Sequence, residues 1–116
     1  MWQHTTRDRN RDRLKRCLAL AFCLISLPAA AGEPDADRQL VLRNLLKGEC
    51  GACHGLTLKG GMGPSLLPEA LEGKSDEFLA DTILNGREGT PMPPWNTFMT
   101  RNEANWLVSV LRNPER

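Results

Sequence analysis

The stretch CGACHG, from Cys50 to Gly55, decides how the rest of this chain is interpreted. It places two thiols three positions apart and puts an imidazole, that of His54, directly after the second. The two residues between the cysteines are small, so the backbone can run close to a flat ligand. Two thiols and an imidazole within five positions indicate metal, redox or cofactor chemistry.

The first 31 residues are predicted to be a secretory signal peptide. Residues 1–16 are polar and rich in arginine, residues 17–27 form an apolar run in which Ser26 is the one polar residue, and a small-x-small cleavage motif ends at Ala31. The apolar run is shorter than the ~20 residues that a membrane-spanning helix needs, which favours cleavage over an uncleaved anchor. We therefore expect export to the periplasm, cleavage near Ala31, and a functional domain at 32–116 without stable membrane insertion.

The composition of this domain limits its chemistry. Residues 32–116 hold nine Lys or Arg and twelve Asp or Glu, a net charge of −3, whereas the full chain has +1. A mildly acidic domain without a basic stripe is a poor binder of nucleic acid, so no nucleic-acid partner is expected. A domain as small as residues 32–116 usually needs a disulfide, a metal or another stabilising element in addition to its core. Its only cysteines are Cys50 and Cys53, and its only histidine is His54.

Three kinds of site compete for CGACHG. A structural zinc site needs four Cys or His ligands, and residues 32–116 offer three. A thioredoxin-type dithiol switch needs a βαβ context, and no alternating strand pattern surrounds the motif. Cys-x-x-Cys-His is the attachment signature of haem c, in which Cys50 and Cys53 form thioethers and His54 is the proximal iron ligand. One covalent haem c is therefore the predicted cofactor, around which the small domain condenses.

Hydrophobic periodicity predicts three main helices, the first over residues 36–49. Asp35 or Asp37 caps it, and it leads directly into the haem motif, with apolar residues at 40, 41, 42, 45 and 46. Residues 56–74, rich in Gly, Pro and Leu, are predicted to form a loop with one helical turn near 68–71.

The other two helices follow the loop. Ser75 caps a helix over 76–85, and Gly86 ends it; its predicted inner face is Phe78, Leu79, Thr82 and Ile83. A capping box at Thr100 and Glu103 opens the last helix, over 101–112. The apolar residues of that helix are Trp106, Leu107, Val110 and Leu111.

A methionine is predicted as the second axial ligand of the iron. Met62 follows His54 too closely to reach the opposite face, and Met99, just before a helix, resembles a core methionine. Met92 stands between prolines in TPMPPW, and a fixed backbone suits a weakly binding thioether. Met92 is therefore the predicted distal ligand. The alternative is that it fills a gap in the packing, as most methionines do.

These features together resemble a class I cytochrome c, over nearly all of residues 32–116. CGACH is the haem motif, and GPSL at 63–66 is similar to the GPxL stretch of that family. The resemblance implies a small all-α fold, with three main helices and loops wrapped around one haem. It also implies that the Pro64 carbonyl accepts the Nδ1 proton of His54 and that Leu66 packs on the haem. Trp95, beside the methionine loop, is a further candidate for the haem pocket. It either donates a hydrogen bond to a haem propionate or packs as an ordinary tryptophan.

A narrower resemblance concerns CGACHGLTLKGGMGPSLLPEAL and ILNGREGTPMPPW. Both are similar to the small monohaem cytochrome of the nir operon, which is associated with cd-type nitrite reductase in denitrifying bacteria. The resemblance implies redox partner proteins such as that reductase or a haem d maturation protein. Because two protein ligands leave the iron no open position for a substrate, the chain is predicted to be an electron carrier and not an enzyme, and a monomer is expected. The alternatives are an accessory or assembly factor for haem d biogenesis and a five-coordinate haem protein that binds a gas or peroxide.

Overall fold

The computed structural model describes residues 32–116, and the predicted signal peptide at 1–31 lies outside the described residues. No strand occurs within 32–116, so the predicted all-α architecture with three main helices is confirmed. No helix in this part of the chain is long and apolar enough to cross a membrane. The elements in chain order are α1 (Ala36–Leu45), a π-helical turn (Leu46–Cys50), α2 (Gly51–His54), a 3-10 turn (Pro68–Leu71), α3 (Asp76–Asn85) and α4 (Arg101–Arg112).

The first helix continues further than the sequence predicted. Asp35 caps it by accepting a hydrogen bond from the Arg38 amide, and helical backbone then runs through the π-helical turn and α2 to His54. Periodicity gave no signal for this extension because the apolar stripe ends at Leu46. The π-helical turn widens the helix immediately before the motif, and such turns occur frequently at functional sites. As a result, both cysteines lie on helical backbone.

The core forms mainly between α1, α3 and α4. Leu42 and Leu46 contribute from the first helix, and Ala80 and Leu84 contribute from α3. The four apolar residues predicted for the last helix are all buried. The remaining core residues are Leu71, Met99, Ala104 and Val108.

The predicted inner face of α3 is partly wrong. Leu79 and Ile83 pack against the core beside buried Ala80 and Leu84, but Phe78 is half exposed. Each residue turns the helix by about 100°, so Phe78 precedes this stripe and falls on its flank. Sequence hydrophobicity alone did not separate the flank of the helix from its centre.

All three predicted N-terminal helix caps are present, and the cap of α4 carries an additional ion pair. Thr100 and Glu103 cap α4 reciprocally. Arg38 Nε lies 2.6 Å from Glu103 Oε1, and Arg38 Nη2 donates to the Phe98 carbonyl at 2.7 Å. The hydrogen bond from Arg38 lowers the pKa of Glu103. The pair therefore joins α1, the turn before α4 and the first turn of α4.

Replacing Glu103 with Gln is expected to lower the free energy of unfolding at pH 7 by about 1 kcal/mol. Gln preserves the capping box but not the ion pair. Because the pKa of Glu103 in the folded state lies below its ordinary 4.5, the ion pair's contribution is fully present above that pH. It is lost as the pH falls through the lowered value. Urea unfolding followed by circular dichroism from pH 7 to pH 3 should therefore show the two proteins converging in acid.

Asp81→Asn is the matched control for this experiment. Asp81 pairs with Arg101, and both side chains are about half exposed. Removing this ion pair should therefore lower the free energy of unfolding only slightly. Equal losses for the two variants would contradict the role given to Glu103.

Candidate haem-binding site

The Cys-x-x-Cys-His motif is held on a single helical turn. Cys50 ends the π-helical turn, and Cys53 and His54 lie in α2. Residues three and four positions apart share one helix face, so the two thiols and the imidazole are neighbours. Both cysteines are half-buried free thiols, and the His54 side chain is buried. The turn therefore holds two thiols that can form thioethers close to an imidazole.

The ring of His54 is oriented by a hydrogen bond to the chain. Its Nδ1 lies 2.7 Å from the carbonyl oxygen of Pro64. Because a carbonyl only accepts, Nδ1 carries the proton and donates it, which leaves the lone pair on Nε2 for a metal. Such an outer hydrogen bond fixes the tautomer and the ring plane of a ligating histidine.

A glycine-rich loop folds back over the motif. The amide of Gly60 donates to the carbonyl of His54 and that of Gly63 donates to the carbonyl of Cys53, both at 2.8 Å. A Cβ at Gly63 would lie 2.8 Å from Cε1 and 2.9 Å from Nδ1 of His54. Only glycine allows this approach. Gly63 is the first residue of the GPSL stretch noted in the sequence, but its close contact with the His54 ring was not predicted.

The structure weighs against a dithiol switch at this motif. Burial raises the pKa of the Cys50 thiol to about 11, so this thiol is protonated at neutral pH and is a poor nucleophile for disulfide exchange. Within residues 32–116, no group of three or more His, Cys, Asp or Glu side chains is arranged to hold a metal ion. The protonated thiol of Cys50 is the observation that disfavours a dithiol switch.

Met92 lies on a separate loop that is anchored to α3. The Arg87 amide donates to the Met92 carbonyl at 3.2 Å, and the Trp95 amide donates to the carbonyl of Ile83 in α3 at 3.1 Å. Thr90 Oγ1 donates to the Arg87 carbonyl and accepts from the Met92 amide. The loop is therefore held at both ends, and Met92 is half-buried within it.

The other methionines have different surroundings. Met62 is 78% exposed, whereas Met99 is 4% exposed and belongs to the core. A largely exposed thioether is poorly placed to bind a buried iron, and a core methionine is already packed. Leu66 and Trp95, the other pocket candidates, are half-buried against the core, and the Trp95 ring lies 5.6 Å from that of Phe98.

The residues present fit a covalent haem. The donor set is two free thiols, an imidazole with an available Nε2, and a half-buried thioether on a second, anchored loop. This combination of cysteine attachment with His and Met ligation is that of c-type cytochromes. Between the cysteines, Gly51 has no side chain and Ala52 carries only a methyl group, so neither residue adds bulk beside the thiols.

The chain is similar in sequence to known c-type cytochromes. A family model described as cytochrome C oxidase, cbb3-type, subunit III matches residues 39–109. The chain is 55% identical over 95 residues to cytochrome c55X of Pseudomonas aeruginosa. The aligned residues cover 81% of this chain and 79% of that protein.

Two solved structures extend the comparison. The c-type cytochrome NirC superimposes with a TM-score of 0.69 at 55% identity, covering 71% of this chain and 96% of that one. A structure titled dihydro-heme d1 dehydrogenase NirN in complex with DHE gives a TM-score of 0.57 at 35% identity. That match covers 61% of this chain but only 15% of the dehydrogenase. Similar folds thus occur both as a small separate chain and within a much larger enzyme.

Proposed function

We propose that this chain, which belongs to the c-type cytochromes of the cbb3-type subunit III family and, within them, to the cytochrome c55X group, carries single electrons between proteins of the nir system. Proteins of this group are electron-transfer proteins that hold haem c covalently, and the haem supplies one-electron iron chemistry. The observation that carries the proposal is the oriented imidazole of His54 beside two free thiols, together with the 55% identity to NirC.

Each predicted site residue has a separate role in this proposal. Cys50 and Cys53 would attach the haem through thioethers, and His54 would bind the iron through Nε2. Pro64 keeps the imidazole in the required tautomer by accepting the Nδ1 proton at 2.7 Å. Met92 would be the second protein ligand of the iron and would raise its potential; with two protein ligands bound, the iron would have no open position for a substrate. Leu66 and Trp95, half-buried at the edge of the core, complete the apolar pocket.

The partner is proposed to be a haem d protein, with cd-type nitrite reductase as the first candidate. A second candidate is a haem d maturation protein. The observation that favours it is the similarity to a segment of a dihydro-heme d1 dehydrogenase. A dehydrogenation releases two electrons and two protons, so a one-electron carrier serves it in two successive encounters. Both candidates place the chain in the periplasm, in agreement with the predicted cleavage near Ala31.

The surface for docking is proposed to surround the haem motif. Leu56, which directly follows the motif, is 76% exposed, and Met62 is exposed in the loop that covers Cys53. Exposed apolar side chains beside a redox centre provide a contact that forms and separates quickly, with a total interface below ~1,200 Å². The net charge of −3 at residues 32–116 steers the approach of a basic partner.

Stopped-flow mixing of the ferrous protein with oxidised cd-type nitrite reductase tests this role. We expect bimolecular oxidation that is faster than with an unrelated c-type cytochrome of similar potential and that slows as ionic strength rises. Leu56→Lys should slow the reaction at every salt concentration. Leu40→Lys introduces the same charge at an exposed leucine of α1 and should have less effect.

Two outcomes decide between the candidates. Fast oxidation by the reductase supports the first partner. If only dihydro-haem d1 together with its dehydrogenase reduces the ferric protein at a comparable rate, the maturation role holds. Rates no higher than those of the unrelated cytochrome with both partners would remove the nir assignment.

A further inference from the structure

The loop that holds Met92 meets the end of α3 at a single glycine. Gly86 has φ +68° and ψ −164°, a left-handed backbone conformation that residues with a side chain rarely adopt. A Cβ at this position would lie 2.6 Å from the Met92 carbonyl oxygen, 2.8 Å from the carbonyl carbon of Pro93 and 2.9 Å from the nitrogen of Pro94. The loop therefore lies closer to α3 than any residue other than glycine allows.

The atoms that a side chain would meet are all backbone atoms. A rotamer change does not move them aside, so the whole segment would have to shift. Prolines at 93 and 94 stiffen the backbone directly after Met92. The hydrogen bonds from Arg87 to Met92 and from Trp95 to Ile83 hold the segment on both sides of the contact. A displacement at Gly86 is thus transmitted to Met92 and not absorbed by a flexible loop.

We propose that Gly86 is a positioning residue that sets where Met92 is presented to the haem iron. The inference rests on the proposed function, in which Met92 is the distal ligand. Gly86 acts through the Met92 loop and not by contact with the haem. Because a thioether is a weak iron ligand, a small displacement shifts the equilibrium between the bound and the free side chain. An added methyl group at position 86 would therefore change the protein from an electron carrier to a haem protein with an open coordination site.

Gly86→Ala in the mature, haem-loaded protein tests the inference. We expect the loss of most of the far-red methionine–iron band in the ferric protein, a downward shift of the midpoint potential and tighter binding of added imidazole. Covalent haem content should be unchanged, because Cys50 and Cys53 are unaffected. A merely structural role for Gly86 would change the unfolding midpoint without changing these readouts in the folded protein.

Gly89→Ala is the matched control. Gly89 lies in the same loop and has a similar φ of +73°, but a Cβ there would meet nothing within 4 Å. It carries the same kind of backbone cost without the steric contact, so the band, the potential and the affinity for imidazole should stay near wild-type values. If Gly86→Ala retains the band and the potential as Gly89→Ala does, the inference is wrong.

Met92→Ala separates this inference from the proposed ligation. Loss of the band in Met92→Ala and its retention in Gly86→Ala overturns the positioning role alone, whereas retention of the band in Met92→Ala overturns the ligation and the positioning role together. If Gly86→Ala lowers helicity, sucrose is added to restore the folded state. The band should remain lost once helicity has returned. Its recovery together with helicity would contradict the proposal.

Discussion

A protein in which both Cys50 and Cys53 are replaced with alanine is expected to be recovered without haem and without most of its helical structure. The core of residues 32–116 is small, and several apolar side chains at its edge are only half-buried. They include Leu58, Leu66 and Ile83, whose remaining apolar surface we expect the haem to cover. Apolar burial contributes roughly 25 cal/mol per Å², so leaving this surface in water removes much of the margin that so small a domain has.

The measurements for this prediction are the pyridine haemochrome content and the far-ultraviolet circular dichroism of the purified protein. For the wild type, the haem should stay with the protein in acid acetone, because thioethers resist extraction. Single replacements, each of which leaves one thioether possible, should give intermediate haem content. Free extraction of haem from the wild type would contradict covalent attachment.

Cys23→Ala is the matched control for a lost cysteine. Cys23 lies in the predicted signal peptide, and the predicted cleavage near Ala31 would remove it from the mature protein. The variant should therefore match wild type in haem content and helicity. The amino terminus of its mature protein should also be the same. A retained Met1 in membrane fractions would show instead that the predicted cleavage is wrong.

Local sequence signals predicted most of the secondary structure. The helix caps at Asp35, Ser75 and Thr100 depend on residues within three positions of each other, and all three form the expected hydrogen bonds. The fourth reliable signal was the apolar stripe of α4, because its strong amphipathic period leaves one possible inner face. The donor set of the motif is equally local, since Cys50 and His54 are separated by one helical turn.

The close approaches between segments could not be predicted from the sequence. Gly63 meets the His54 ring, and Gly86 meets the Met92 loop, at distances where a methyl group does not fit. Such contacts depend on how distant backbone segments pack, and a glycine in a sequence indicates a turn as readily as a close approach. The exposed position of Phe78 has a related cause. Its burial depends on the rotation of α3 against α4, which hydrophobicity alone does not fix.

Met92→Ala is expected to abolish the far-red methionine–iron band and to lower the midpoint potential by on the order of 100 mV or more, because the axial ligand is a main determinant of haem potential. The half-buried position of Met92 and the anchoring of its loop to α3 support this choice of ligand. Absorption spectra of the ferric protein and a redox titration measure both quantities. The His54 side should be unaffected, since its hydrogen bond to Pro64 lies on a different loop.

The other two methionines of the domain provide the controls. Met62→Leu changes a largely exposed side chain and should leave the spectrum, the potential and the stability nearly unchanged. Met99→Leu conserves volume in the core, so it should cost less than ~1.5 kcal/mol of unfolding free energy and leave the band in place. If Met99→Leu alone removes the band, the distal ligand is Met99 and the role of Met92 is wrong.

A lower potential in Met92→Ala should make the ferrous protein a stronger reductant and its ferric form a poorer acceptor. We therefore expect the rate of its reduction by an upstream donor to fall more than the rate of its oxidation. Met92 would thus contribute mainly to the step in which the carrier is reduced.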